Sequence, residues 1–224
     1  ALLKRLSSQA RPARLVMASS IGVFGIPLPR DRVNDHTLPL PTMSYGGHKL
    51  IGETLVADYA RRGLVDGLGV RLPGIIARPR VAGGHMSAFM SDILHALRAG
   101  ETYHCPVPAA ATSWLMSRER CVDNFLHAAA CPTPGSGERR AFNLPALRLS
   151  MAELVDGLSA LMDRDLRPLV SYGHDEMLVA QFGSYPPLDT PIADGLGFRH
   201  DGDAASLVAR ALDIDLPANT KGSA

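Results

Sequence analysis

The sequence predicts an α/β chain, and three stretches carry that expectation. A short apolar run over residues 13–18 ends in Ser19-Ser20, an amphipathic stretch follows from Ser44 to Arg62, and a second strand-like run, Gly69-Val70-Arg71-Leu72-Pro73, comes after it. Strand-length apolar runs alternating with helix-length amphipathic ones are the pattern of sheets covered by helices. At 224 residues the chain can form one domain of good size, or a domain with a small lobe.

Taken in order, residues 1–9 read as the end of a helix with Leu2, Leu3 and Leu6 on one face, broken at Arg11-Pro12. Residues 13–18 read as a buried strand. The stretch from Ile26 to Thr42, with prolines at 27, 29, 39 and 41, reads as a surface loop. Its end delivers Tyr45 to a helix over 44–62, with Ser44 as N-cap and Gly63 as stop. The spacing turns Leu50, Ile51, Leu55, Val56 and Tyr59 inward and Glu53, Asp58, Arg61 and Arg62 to water. Gly46 and Gly47 in the first turn each lower helix propensity by up to about 1 kcal/mol, which points to a close backbone approach by a cofactor or the neighbouring loop. Gly67-Leu68-Gly69 and Gly195-Leu196-Gly197 read as turns.

Beyond the second strand, Gly83 to Gly100 reads as an amphipathic helix whose methionines fill core, and Tyr103 to Ala111 as a loop or short strand. A helix over 117–130 leads to a turn-rich loop over 131–140 and a strand over 141–144. Ser150-Met151-Ala152-Glu153 is a capping box opening a helix to Met162. Leu169-Val170 reads as a further strand, 189–196 as a short helix ended at Gly197, and Ala204 to Leu212 as a last helix before a polar tail.

Composition excludes several classes. Hydrophobic residues make up 46% and charged ones 20%, enough for a core and ordinary for a globular chain. The net charge of +1, with no basic block, gives nothing for nucleic acid or an anionic membrane to recognise. Three cysteines without C-x-x-C spacing and eight scattered histidines offer neither a disulfide framework nor a metal site. No apolar run reaches membrane-spanning length, so the expected setting is the cytoplasm.

Chemistry concentrates at Ser44-Tyr45-Gly46-Gly47-His48-Lys49. On a helix the phenol of Tyr45 and the ammonium of Lys49, four residues apart, share a face and can address one ligand. A phenol is a poor base at neutral pH, and a nearby positive charge favours its phenolate. Ser20 is the natural hydroxyl to complete an acid/base site. Tyr45-x3-Lys49, together with Ser19-Ser20-Ile21-Gly22-Val23-Phe24-Gly25 and with Arg71-Leu72-Pro73 closing a strand, resembles the extended short-chain dehydrogenase/reductase family, also called the NAD-dependent epimerase/dehydratase family. Similarity continues to Phe198, over most of the chain.

The resemblance implies a Rossmann-type doubly wound sheet, truncated at its N-terminus, with a small C-terminal substrate lobe. It divides the chain into 1–78 with 117–145 (nucleotide-binding part) and 79–116 with 146–224 (substrate lobe). No Gly-x-x-Gly-x-x-Gly lies between a strand and a helix. Measured against the family, the chain starts in the helix before the fifth strand, so roughly 100 residues of a βαβαβ nucleotide-binding half are absent. Residues 13–18 would then form an exposed apolar edge. By the same resemblance, Ser20, Tyr45 and Lys49 are catalytic. Ala18, Tyr45, Lys49, Pro73 and Ile75 would contact NAD (NADP is not excluded). Ser20 and Tyr45 would contact substrate. Arg78, at the mouth of the substrate lobe, either receives a substrate carboxylate bidentately or is a surface arginine, and Arg71, within its strand, serves structure.

Two departures point to a small substrate. Relatives acting on nucleotide sugars carry an asparagine where Leu72 stands and an arginine before the aromatic of the stretch matched by Thr112-Ser113-Trp114-Leu115. Without either anchor a diphosphate is poorly held. That is consistent with a small sugar acid, and the resemblance implies oxidation of its 2-hydroxyl by hydride transfer from the carbon that bears it, with homodimerisation through the tyrosine helix as the family analogy. A nucleotide-sugar epimerase or dehydratase, and an inactive fragment keeping only part of the fold, are the alternatives.

Overall fold

The computed structural model describes residues 1–80, 85–132 and 139–215. Its elements run α1 (Leu2–Leu6), β1 (Arg14–Ser20), α2 (Ser44–Arg61), β2 (Asp66–Leu72), β3 (Gly74–Ile75), α3 (Phe89–Arg98), β4 (Tyr103–Cys105) and β5 (Thr112–Met116). They continue α4 (Arg118–Ala130), β6 (Ala141–Asn143), β7 (Leu147–Ser150), α5 (Met151–Leu161), β8 (Val170–Tyr172), α6 (Glu176–Phe182), α7 (Pro191–Gly195) and α8 (Ala204–Leu212). Gly83, Gly84, the middle of the 131–140 loop and the polar tail lie outside the described residues.

The first sheet is β1-β2-β6, all parallel, with Ser19 opposite Arg71 and Arg71 opposite Asn143. Helix α2 packs on β1 and β2. Gly67 and Gly69 lie inside β2 rather than in the expected turn. At Gly67 α2 comes too close for a side chain: a Cβ there would sit 2.5 Å from Val56 Cγ1, while at Gly69 the nearest atom is Ala141 Cβ of β6, at 3.2 Å. The intervening Leu68 and Val70 are fully buried on the opposite face, with Phe142 and Phe198. Strand β1 forms one edge of this sheet. The expectation of a buried strand does not hold for most of it, since Leu15, Val16 and Met17 are only half-buried.

Helix α2 corrects the sequence reading of its faces. Its buried residues are Gly46, Glu53, Val56 and Ala60, whereas Ile51 and Leu55 are 59% and 49% exposed. The seam against the sheet is made of small side chains and one carboxylate, neutralised by an arginine. Of the apolar residues expected to face inward, Val56 does so and Leu50 and Tyr59 are half-buried, while Ile51 and Leu55 face out. Met43, not Ser44, is the N-cap, with no side-chain capping bond. Gly63 ends the helix as expected, at φ +68° in the left-handed region.

A second layer joins β3-β5-β7, with β3 parallel and β7 antiparallel to β5, and β4 pairs β8. Its core is α3, α5 and α8, where Ile93, Leu94, Leu97, Leu154, Leu158, Leu207 and Val208 are fully buried. Each such side chain contributes on the order of 1.5–3 kcal/mol of burial. The capping box forms as read: Ser150 Oγ accepts from the Glu153 amide, and the Glu153 carboxylate accepts from the Ser150 amide. The proline-rich loop is more than a surface connection. Val33 is fully buried in a bridge to Leu188, and buried Asp35 accepts from the Ile192 amide at 3.1 Å.

Candidate active site

The cavity that matters opens at the carboxyl ends of β1 and β2, where open parallel sheets hold their ligands. It encloses about 730 Å³, and Ala18, Ser20, Tyr45, Lys49, Pro73, Ile75 and Arg78 all line it. Every residue singled out from the sequence thus reaches one space.

Strand β1 ends in a one-turn 3-10 helix, Ile21–Val23, for which Ser20 is the N-cap. Ser20 Oγ accepts from the Gly22 amide at 3.0 Å. That bond uses the oxygen as acceptor and leaves the hydroxyl proton to be donated. Tyr45 sits in the first turn of α2, and its ring lies against Gly22. A Cβ there would stand 3.3 Å from Ser20 Oγ and 3.4 Å from Tyr45 Cδ1. One turn on, Lys49 Nζ lies 5.5 Å from the Tyr45 ring centroid and donates to the Ala18 carbonyl at 2.7 Å.

Gly46 explains how the tyrosine comes so near. A Cβ there would lie 1.9 Å from the Gly22 carbonyl oxygen, so only glycine lets the start of α2 meet the loop that carries Ser20. At Gly47 nothing lies within 4 Å. The close approach to the neighbouring loop weighed from the sequence is made by Gly46.

Arg78 stands at the cavity wall, its Nη2 donating to Ser87 Oγ at 3.0 Å and its carbonyl 2.9 Å from His95 Nε2. Trp114 serves as both wall and core: it is fully buried, lines the cavity, and donates from Nε1 to the Pro186 carbonyl at 2.7 Å. Tyr185 meets it edge-on at 4.8 Å. Burial pushes the Tyr185 phenol up to about 12, so this second tyrosine of the cavity stays protonated and is no base at neutral pH. Sequence reasoning missed Tyr185, Gln181 and Phe182, which line the cavity from α6 and the segment after it. No motif marked them.

Behind the cavity lies a buried polar layer, also unforeseen. Arg71, on β2, grips Glu53, on α2, through two bonds of 2.9 and 2.8 Å, and both side chains are almost wholly buried. Ser19 Oγ donates to the same carboxylate from β1, and the Arg71 guanidinium lies 5.2 Å over the Phe24 ring. Arg71 Nη1 and both polar atoms of the neighbouring Asn143 amide are buried without a hydrogen-bond partner among the described residues.

Lys49 commits one of its three protons to Ala18, which leaves two for the hydroxyls of a ribose. Pro73 and Ile75 line the same cavity. These residues fit the nicotinamide end of a dinucleotide. The glycine-rich loop for its pyrophosphate does not occur in the sequence. Among the described residues no group of three or more His, Cys, Asp or Glu is placed to hold a metal ion, and no helix is long and apolar enough to cross a membrane.

Parallel strands under a helix that opens on a tyrosine, with a cavity at their carboxyl ends, define a Rossmann-like α/β protein. Residues 1–129 match the model of the NAD dependent epimerase/dehydratase family, and the chain belongs to that family. It is 30% identical over 204 residues to D-erythronate dehydrogenase of Haemophilus influenzae, covering 91% of this chain and 64% of that protein. It is 32% identical over 202 residues to the D-erythronate dehydrogenase of Cupriavidus necator, covering 90% and 62%. Among solved structures, the nucleoside-diphosphate-sugar epimerase from Agrobacterium tumefaciens superposes with a TM-score of 0.85 at 30% identity, covering 95% of this chain and 63% of that one. The chain thus spans less than two thirds of the length of these relatives.

Proposed function

We propose that this chain carries the catalytic half of an NAD-dependent dehydrogenase that oxidises the 2-hydroxyl of a small sugar acid to the 2-keto acid. The observation that carries the reading is the convergence of Ser20, Tyr45 and Lys49 on one cavity, in a chain similar to two D-erythronate dehydrogenases. Ser20, its oxygen engaged by Gly22, donates to the reacting hydroxyl and holds it. Tyr45, as phenolate beside the Lys49 charge, takes the hydroxyl proton. Lys49 also binds the nicotinamide ribose, and Arg78 takes the substrate carboxylate in a fork of two bonds. A nicotinamide held between Lys49, Pro73 and Ile75 supplies the acceptor for the hydride that leaves the carbon. This end of the cofactor is common to NAD and NADP.

Leu72 and Ser113 both line the cavity, where an asparagine and an arginine would be expected to grip a diphosphate; this supports a small substrate. The similarity to a structure titled as a nucleoside-diphosphate-sugar epimerase favours the second reading, nucleotide-sugar epimerisation on the same three residues. Turnover of a nucleotide sugar with no net NADH would establish that second reading over the first.

The test is Tyr45→Phe. Removing the phenolic oxygen is expected to abolish oxidation of four-carbon aldonic acids while NADH binding, followed by calorimetry, is retained. Undiminished turnover by the variant would overturn the proposal.

A further inference from the structure

We infer that Ser19 is a positioning residue: through the buried Glu53–Arg71 pair it fixes the end of β1, and so the place of Ser20 relative to Tyr45 and Lys49. The inference rests on the reading of Ser20, Tyr45 and Lys49 as the catalytic set. Glu53 is the junction. It lies one turn beyond Lys49 and two beyond Tyr45 on the same face of α2, and its carboxylate takes bonds from both strands beneath. From β1 the donor is Ser19, adjacent to Ser20. From β2 it is Arg71, in register with Ser19 and one residue before the cavity-lining Leu72-Pro73. Arg71 also stacks on Phe24, so the segment Ser20–Val23 is held at both ends, by Ser19 before it and Phe24 after it.

Stability alone does not account for this layer. A buried ion pair about breaks even against apolar residues of the same volume, and this one carries an Arg71 nitrogen and a neighbouring Asn143 amide that have no hydrogen-bond partner among the described residues. Each such group costs on the order of 1–3 kcal/mol. What the layer supplies is geometry. It joins β1, α2 and β2, the three elements that carry the serine, the tyrosine with the lysine, and the cavity's Leu72. Catalytic rates respond to displacements of about 1 Å by about a hundredfold, so a fixed junction has a function that packing against small residues does not provide.

Ser19→Ala tests this without breaking the ion pair, and Ser19→Thr restores the hydroxyl. Ser19→Ala is expected to lower kcat for 2-hydroxy acid oxidation about tenfold with KM within about twofold, and Ser19→Thr to recover most of the loss. Independently of turnover, the Gly22 amide, which is bonded to Ser20 Oγ, is expected to exchange with deuterium about tenfold faster in Ser19→Ala, while the amides of α5 and α8 keep their rates. Unchanged Gly22 exchange, or an equal acceleration throughout the molecule, would overturn the inference. If the parent chain oxidises no 2-hydroxy acid, the functional reading fails by itself and the exchange measurement still decides whether Ser19 positions Ser20. Should Ser19→Ala not fold, the same two readouts on Ser19→Cys, which replaces the hydroxyl by a weak donor of similar size and leaves the ion pair intact, decide in its place.

Discussion

Two adjacent glycines at the start of α2 have opposite consequences. At Gly46 a methyl group would collide with the Gly22 carbonyl, and the helix would have to back away from the loop bearing Ser20. Gly46→Ala is expected to destabilise the fold by about 1–3 kcal/mol and to reduce turnover more than that loss of stability explains. At Gly47 the space is open, so Gly47→Ala is expected to stabilise the helix by up to about 1 kcal/mol with activity kept. Urea unfolding midpoints and initial rates on the two variants check both signs. The same residue-level geometry explains why Glu53 was misread. A glutamate at helical spacing among charged neighbours reads as solvated, and nothing local reveals that Arg71, eighteen positions away, will neutralise it.

Elements with local causes were legible. The capping box at Ser150, the left-handed stop at Gly63 and the last helix, Ala204–Leu212, depend on residues within a few positions, and they form as read. Elements fixed by distant partners were not. Strand β7 and the β5 pairing it completes, and the short α6, take their places from contacts across the fold, and the Gly67-Leu68-Gly69 strand depends on how closely α2 packs. The capping box also has a pH signature. Bonds from the Ser150 amide and hydroxyl hold the Glu153 carboxyl below its ordinary value of 4.5. A carboxylate lowered by folding stabilises the protein above its unfolded value, and that contribution is lost as pH falls through the folded one. Glu153→Ala is therefore expected to cost about 1 kcal/mol near neutrality. Thermal melts of the two proteins should converge below about pH 4.5.

At the scale of the whole molecule, the parallel sheet and the α3, α5 and α8 core meet at the cavity: β1 and β2 bring the serine and the strand ends, and α6 and the segment to Tyr185 bring the far wall. The serine, tyrosine and lysine that line the cavity stand in short motifs that the sequence displays. The far wall was not legible, since its members come from a segment with no pattern of its own. Against that wall, from β5, stands the chain's single tryptophan, Trp114, fully buried, tied to the Pro186 carbonyl and pressed edge-on by Tyr185. The protein therefore contains an optical probe of its own cavity. Its tryptophan fluorescence comes from one site, on the wall of the cavity proposed to hold the nicotinamide. Quenching of that emission by NADH, with sensitised emission from the dinucleotide, would report occupancy directly with no label attached. An emission indifferent to NADH at saturation would place the dinucleotide elsewhere.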